Sequence, residues 1–498
     1  MGKDEKWTEI LDKFRAVHSK AGAMGGDEKL AKQKAKKKLN VRERISTLCD
    51  DGDFTEIGRL SGGGADAFVC GFGRVDGRIV AIGAEDFTVA GGSIGISESS
   101  KRYRIAEIAL QERAPLIMLL DGAGHRPLRP DDPLTGRIPG DLQMQAQLSG
   151  RIPFATAVLG PSAGHGALSA PLSDFTVMTP TSSIFTGGPP LVKASLGEEV
   201  TKEELGGPEV ALGSGLIDNL SLDDKDALDQ VRSWLSFFPS SAWEQPPKRS
   251  NGEGPRATPE LLDIIPADSS QPYDMKEVIK VISDQATWFE VQSSFGRSIL
   301  TGLARVDGTP LAIVANQPMY LSGSIDVDAA DKASHFIQVA DSFHMPLLFL
   351  TDIPGVLAGS ASEKSGILRH AGRMFSIQNS ATVPKIQLTL RKAFGFGSSV
   401  MGMNPFDNQT LNLAFPGVSF GAMPAKGGDS AVGAGEEETR SMEKAISSSG
   451  YRAAASLSID DIIEPADTRS KILFGLELAR SRIESHHNGP KQRVGNFR

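Results

Sequence analysis

Short apolar runs alternate along this chain with stretches whose apolar positions recur every three to four residues. RIVAI (78–82) reads as a buried strand, and SSKRYRIAEIALQERA (99–114) as an amphipathic helix with Ile105, Ile108 and Ala109 on its apolar face. PLIMLLD (115–121) predicts a second strand, DLQMQAQLSGRI (141–152) a helix and TAVLG (156–160) a third strand. The same order returns in KASHFIQVADSF (332–343), PLLFLTD (346–352), HAGRMFSIQNSA (370–381) and KIQLTL (385–390). Repeated strand–helix–strand units imply an α/β fold with largely parallel strands, in which sites gather where strands end and helices begin.

The return is a repeat in sequence as well as in pattern. GRVDGRIVAI (73–82) recurs as ARVDGTPLAI (304–313), a shift of 231. Over 74–124 that shift gives 17 identities in 51 positions without a gap, and it goes on to align Gly164-His165-Gly166 with Gly395-Phe396-Gly397. Chance similarity does not hold register over more than about ninety residues, so the chain carries two copies of one domain. Residues 239–272, rich in Pro, Ser and Gly and without periodicity, read as a linker between domains at 1–238 and 273–498.

Composition narrows the function classes. The apolar runs are far shorter than the ~20 residues of a membrane span, and the N-terminus MGKDEKWTEI has no apolar signal core. Two cysteines, Cys49 and Cys70, exclude a disulfide framework and point to a reducing cytoplasm. A net charge of −8 argues against nucleic acid as a partner. That balance hides a basic stretch, KLAKQKAKKKLNVRER (29–44), which is either a solvated helix or a phosphate-binding edge; nothing local chooses between them.

Candidate chemistry centres on two Gly-x-Gly elements after equivalent strands, in ATAVLGPSAGHGALSAP (155–171) and PKIQLTLRKAFGFGSSVMG (384–402). Such turns let backbone N–H groups converge on an anion, although each alone reads first as a tight turn. Neither fits a P-loop or a dinucleotide fingerprint, and no zinc-protease motif, nucleophile elbow or Cys cluster occurs, so no metal site is expected. His165, His344 and His370 read as packing or hydrogen-bonding residues, and Asp121 and Asp352, at strand ends, as turn or cap residues. Chemistry would then rest on backbone donors.

On these residues the chain resembles the carboxyltransferase (β) subunits of biotin-dependent acyl-CoA carboxylases, the propionyl-CoA and methylcrotonoyl-CoA carboxylase group. The resemblance spans roughly 35–480 and is carried by RERISTLCDDGDFTEIG (42–58), EDFTVAGGSIG (85–95), APLIMLLDGAGHR (114–126), GPSAGHGALSAPLSDFTVM (160–178), FTGGPPLVKASLGEEVTKEELGG (185–207), PYDMKEVI (272–279), ANQPMYLSGSIDVDAADKASHFIQVADSFHMPLLFLTDIPG (315–355) and ATVPKIQLTLRKAFGFGSSVMG (381–402). It implies two tandem crotonase-like domains, matching the duplication, and a hexamer. It also implies transfer of a carboxyl group from N1-carboxybiotin to the α (or vinylogous γ) carbon of an acyl-CoA. By position, the N–H groups of Gly164, His165 and Gly166 would hold the thioester oxygen, and those of Phe396 and Gly397 the biotin ureido oxygen. Gly91, Gly92, Gly395 and Ser398 would flank the bound groups, and Arg42, Lys37 and Lys38 would meet the CoA phosphates. The family uses no metal here, and biotin itself is thought to remove the α-proton.

No Met-Lys-Met biotinylation site occurs, so the resemblance implies a partner biotin carboxylase/biotin carboxyl carrier (α) subunit. Ser398-Ser399, MPAKGG (423–428) and GAGHR (122–126) depart from the usual family forms and leave the acyl-CoA open. The same chemistry run backwards defines a decarboxylase or transcarboxylase subunit, and a catalytically inactive scaffold is a further reading.

Overall fold

The computed structural model describes residues 3–127, 140–249, 252–424, 435–485 and 489–491. The chain divides at Ser236/Phe237 into two units. The first contains β1 (Phe54–Ile57), β2 (Phe68–Val75), β3 (Arg78–Glu85), β4 (Leu116–Gly122), β5 (Phe154–Ala163), β6 (Phe175–Met178), β7 (Ser183–Phe185) and β8 (Asn219–Leu220). They form one sheet, ordered β1-β2-β3-β4-β5-β6-β8, with β7 beside the carboxyl end of β5. Two antiparallel pairings lead in, and the sheet is parallel from β3 onward.

The second unit repeats the plan with β9 (Phe289–Val291), β10 (Ile299–Val306), β11 (Thr309–Asn316), β12 (Leu347–Ile353), β13 (Lys385–Phe394), β14 (Gln409–Ala414), β15 (Ser419–Gly421) and β16 (Asp461–Ile462). The order is β9-β10-β11-β12-β13-β14-β16, with β15 beside β13. Strand register preserves the 231-residue shift: Ala81 pairs with Leu116 as Ala312 does with Leu347, and Leu116 with Phe154 as Leu347 does with Lys385. Each lead-in hairpin turns on an Asp-Gly pair in the left-handed region (Asp76 φ 50°, Gly77 φ 77°; Asp307 φ 50°, Gly308 φ 72°), the turn that matches strand twist.

Helices cover the sheets where periodicity placed them. Helix Ile96–Gln111 buries Ile105, Ala106 and Ala109, while Ile108 is half-buried. Its counterpart, helix Val327–Ser342, sits among buried residues along most of its length. The helix expected over 141–152 stops at Ala146, and the chain then turns through Gly150 (φ 65°).

The expected linker is corrected by packing. Leu261 is fully buried in the apolar core of the second unit with Val278, Ile279, Leu348 and Ile386. The Thr258 N–H donates to the Ala466 carbonyl at 2.8 Å, and Arg391 Nη1 donates to the carbonyls of Asp268 and Gln271 at 3.0 and 2.8 Å. Pro-rich composition here marks irregular backbone held by buried contacts, not a free tether. Among the described residues no helix is long and apolar enough to cross a membrane.

Candidate active site

Parallel strands bring three turns of the first unit to the same sheet end, after β3, β4 and β5. Gly91 and Gly92 (both φ 65°) follow β3 and are tied to the turn after β4: the Ala123 N–H donates to Gly91 O at 3.0 Å and the Ile94 N–H to Gly124 O at 2.8 Å. A Cβ on Gly92 would lie 2.2 Å from Asp121 O, so the two turns touch backbone to backbone.

The third turn opens the short helix Gly164–Ala167, whose first N–H groups have no acceptor within the helix. Its glycines have separate reasons. Gly164 needs the left-handed region (φ 57°), and a Cβ on Gly166 would stand 2.8 Å from Glu85 Oε1. In the second unit Gly395 has φ 55°, and a Cβ on Gly397 would meet Gly355 Cα at 2.9 Å. The middle positions are open to a side chain: the Phe396 ring is 37 % exposed, with its centroid 5.7 Å from that of Phe375. Ser398 Oγ donates to Gly395 O at 2.8 Å and so braces that turn.

Against the Gly164–Gly166 turn lies a charged network that sequence reasoning missed. Arg102, fully buried, donates through Nη1 to Glu85 Oε1 (3.0 Å), through Nε to Asp141 Oδ2 (2.9 Å) and through Nη2 to Ser169 Oγ (2.9 Å). Asp141 Oδ1 lies 2.6 Å from His165 Nε2. Glu85 accepts the Asp121 N–H at 2.8 Å, and burial pushes its carboxyl up to about 6 against the pull of Arg102. Burial would raise Asp141 as well, but the His165 hydrogen bond and the Arg102 guanidinium outweigh it and hold Asp141 at about 2. Asn316 stands 231 residues after Glu85 and accepts the Asp352 N–H at 3.0 Å, so the second unit uses a neutral amide for the same strand-end contact.

Asp121 and Asp352 depart from the expected cap or turn roles. Asp121 pairs with buried Arg44 at 2.9 Å, and Asp352 with Arg391 at 2.7 Å and the Tyr273 hydroxyl at 3.0 Å. His370 pairs with Asp331 at 2.8 Å, and His344 Nε2 lies 2.7 Å from Ala242 O, as expected of hydrogen-bonding residues.

A cavity of about 600 Å³ opens beside Gly91 and Asp121, lined by Lys29, Lys32, Lys36, Lys38 and Lys202 together with Gln33, Phe87, Thr88, Pro161 and Thr181. The basic run is therefore more than a solvated face. Lys38 lines the cavity, and burial lowers its ammonium pKa. Lys37 is exposed and outside the lining, and Arg42 is held by Glu56 through two hydrogen bonds of 3.0 and 3.2 Å. Lys202, in the predominantly acidic EEVTKEE (198–204), gave no signal of a basic surface.

The carboxyl transferase domain family matches residues 32–494. The chain belongs to that family. It is similar to the propionyl-CoA carboxylase carboxyltransferase subunit of Haloferax mediterranei, 34 % identical over 98 % of each chain. It is also similar to the methylmalonyl-CoA carboxyltransferase 12S subunit of Propionibacterium freudenreichii subsp. shermanii, 35 % identical over 95 % of this chain and 94 % of that one. A crystal structure of transcarboxylase 12S with methylmalonyl-coenzyme A and methylmalonic acid bound matches with a TM-score of 0.88 and 34 % identity, over 97 % of this chain and 96 % of the other. The carboxyltransferase is thus built from two crotonase-like units, and it is an enzyme of the biotin-dependent acyl-CoA carboxylase and transcarboxylase family. Among the described residues of this carboxyltransferase no group of three or more His, Cys, Asp or Glu could hold a metal. The 423–428 segment singled out in the sequence lies largely outside the described residues, at 425–428.

Proposed function

We propose that this carboxyltransferase moves a carboxyl group from N1-carboxybiotin, carried by a separate biotin carboxyl carrier (α) subunit, to the α-carbon of an acyl-CoA. What supports the reading most is the recurrence of one Gly-x-Gly turn after β5 and after β13, one for each charge that develops. The turn at Gly164, His165 and Gly166 takes the thioester oxygen as it gains charge on enolisation. The turn at Phe396 and Gly397, flanked by Gly395 and Ser398, takes the ureido oxygen of biotin. A preorganised backbone donor of this kind is worth about 10²–10³ in rate. The cavity beside Gly91 and Gly92 has the charge and size for the phosphate end of CoA, with Lys29, Lys32, Lys36, Lys38 and Lys202 as contacts.

The transcarboxylase 12S structures are of a hexamer, and a hexamer is the assembly we assign to this chain. The buried free thiols of Cys49 and Cys70, pushed up to about 11 and about 12 by burial, suit a cytoplasmic setting. The test is co-purification with the biotinylated partner and an acyl-CoA panel assayed with ATP and bicarbonate. At least one acyl-CoA gains a carboxyl group on this reading; a partner-bound complex that carboxylates none removes it. Similarity to a 12S transcarboxylase subunit also favours a reading in which a carboxyacyl-CoA takes the place of bicarbonate as carboxyl donor. ATP-independent exchange between carboxyacyl-CoA and acyl-CoA in the same complex identifies that case.

A further inference from the structure

The Gly164-His165-Gly166 turn has little rigidity of its own. Gly164 sits at φ 57°, Gly166 has no side chain, and the helix they open ends at Ala167. Glycine loses more conformational freedom on folding than any other residue, so a turn with two of them needs a hold from outside the backbone. His165 is the one residue of the three with a side chain, and that side chain is tied down. Its Nε2 lies 2.6 Å from Asp141 Oδ1, and its ring meets that of His125 edge-to-face with centroids 4.3 Å apart. Asp141, held at about 2, is ionised at neutral pH, so the tie is a charge-assisted hydrogen bond. Its other oxygen is fixed by Arg102, which also donates to Glu85 and Ser169. One buried guanidinium thereby reaches the turn at three points. It holds His165 through Asp141, and Gly166 through Glu85, whose Oε1 would stand 2.8 Å from a Cβ there. The third point is Ser169, just past the end of the turn's helix.

The second unit secures the equivalent turn in another way. At the 231-residue shift Glu85, Arg102, Asp141, His165 and Ser169 correspond to Asn316, Ala333, Gly372, Phe396 and Val400, so the ion network is particular to the first unit. Conversely, the Ser398 hydroxyl that donates to Gly395 O at 2.8 Å has Ala167 as its counterpart, with no hydroxyl to give. Each copy carries one brace and lacks the other. That exchange at a single turn ties the network to the geometry of the turn, beyond its share in the stability of the unit.

We propose that the His165 side chain, Asp141 and Arg102 are positioning groups for the first turn: the imidazole is a tether through which the buried guanidinium keeps the N–H groups of Gly164–Gly166 aimed at the thioester oxygen. The side chain itself takes no proton and touches no substrate atom. This rests on the placement of the thioester oxygen at that turn. Donors already aimed when charge develops need no reorganisation at the moment of reaction. A tether of this kind therefore acts on the chemical step and leaves ground-state binding nearly unchanged.

The experiment uses the full chain with free biotin and methylmalonyl-CoA, or another carboxyacyl-CoA that it converts. It measures kcat, thioester affinity by titration, and backbone amide exchange over 164–167. His165→Ala keeps the backbone N–H and removes the tether, so kcat falls at least about tenfold, a part of what one whole donor supplies, while affinity stays within about twofold. The turn amides exchange faster in that variant, and the rest of the chain exchanges as in wild type. His165→Gln sets an amide donor where Nε2 stood but has no basic nitrogen. It turns over at least about fivefold faster than His165→Ala and slows exchange at the turn again, because the tie to Asp141 is remade. Wild-type kcat or wild-type turn exchange in His165→Ala overturns the inference and leaves the proposed function standing. So does a loss seen in affinity and not in kcat, or a His165→Gln as slow as His165→Ala. A wild-type chain that binds carboxyacyl-CoA thioesters and converts none of them overturns the proposed function and this inference with it.

Discussion

Glu85 and Asp141 are both buried within hydrogen-bonding distance of Arg102 beneath the Gly164–Gly166 turn. One guanidinium serves two carboxylates, so removing it leaves both without their cation. Arg102→Met is expected to lower stability by about 3–5 kcal/mol, read from the denaturant midpoint, because an unpaired buried charge is harder to hold than a broken surface pair. The network also gives stability a defined acid limb. Asp141 at about 2 stays ionised in the folded state while the unfolded carboxyl, at 3.8, takes up a proton. Its contribution is therefore fully present above about pH 4 and is lost as pH falls through 2, roughly 2–3 kcal/mol in all. Unfolding measured across that range falls with acid in wild type and flattens in Asp141→Asn; an unchanged slope contradicts the assignment. None of this was legible in the sequence. Arg102 lies on a helix whose periodicity named only Ile105, Ile108 and Ala109, and a buried ion network leaves no periodic trace. The glycines were legible, because positive φ and closed space leave few alternatives.

The Gly-x-Gly turns join strand to helix in both units, and each position in them answers to a different constraint. Phe396→Pro removes one N–H at the second position of a helix, where proline is otherwise tolerated. Carboxyl transfer is expected to fall by about 10²–10³ while acyl-CoA binding is kept. Wild-type turnover in this variant rules out a backbone donor there. Gly92→Ala combines positive φ with a Cβ 2.2 Å from Asp121 O, a backbone contact that cannot be relieved by a rotamer change. It is expected to destabilise by more than about 1 kcal/mol and to shift the turn beside the cavity, seen as weaker CoA binding. Strand positions were read well because buried parallel strands form continuous apolar runs, as LIMLL and LLFLT do. The helix from Asp141 was read too long, because its apolar spacing continues past the Gly150 turn that ends the segment.

Across the whole chain, the internal repeat became two units, divided at Ser236/Phe237, whose strand registers agree at a shift of 231. The linker was not legible: Pro and Ser content reports irregular backbone and says nothing of burial, and Leu261 shows how firmly that backbone is docked. The two copies diverged where their proposed tasks differ. At the 231-residue shift Glu85 corresponds to Asn316 and His165 to Phe396, and the lysine-lined cavity belongs to the first unit. Reversing charge with Lys36→Glu and Lys202→Glu is expected to weaken CoA binding at low salt by about tenfold or more, with the difference shrinking as salt screens it. Equal affinity in wild type and the double variant, by equilibrium titration, places the CoA phosphates elsewhere.

The central claim, carboxyl transfer between a CoA thioester and biotin, is tested most directly with the chain alone, free biotin and methylmalonyl-CoA. The account predicts biotin-dependent conversion of methylmalonyl-CoA, or of another carboxyacyl-CoA in the same assay, to its decarboxylated thioester. A folded chain that binds these thioesters and converts none of them in the presence of biotin contradicts it.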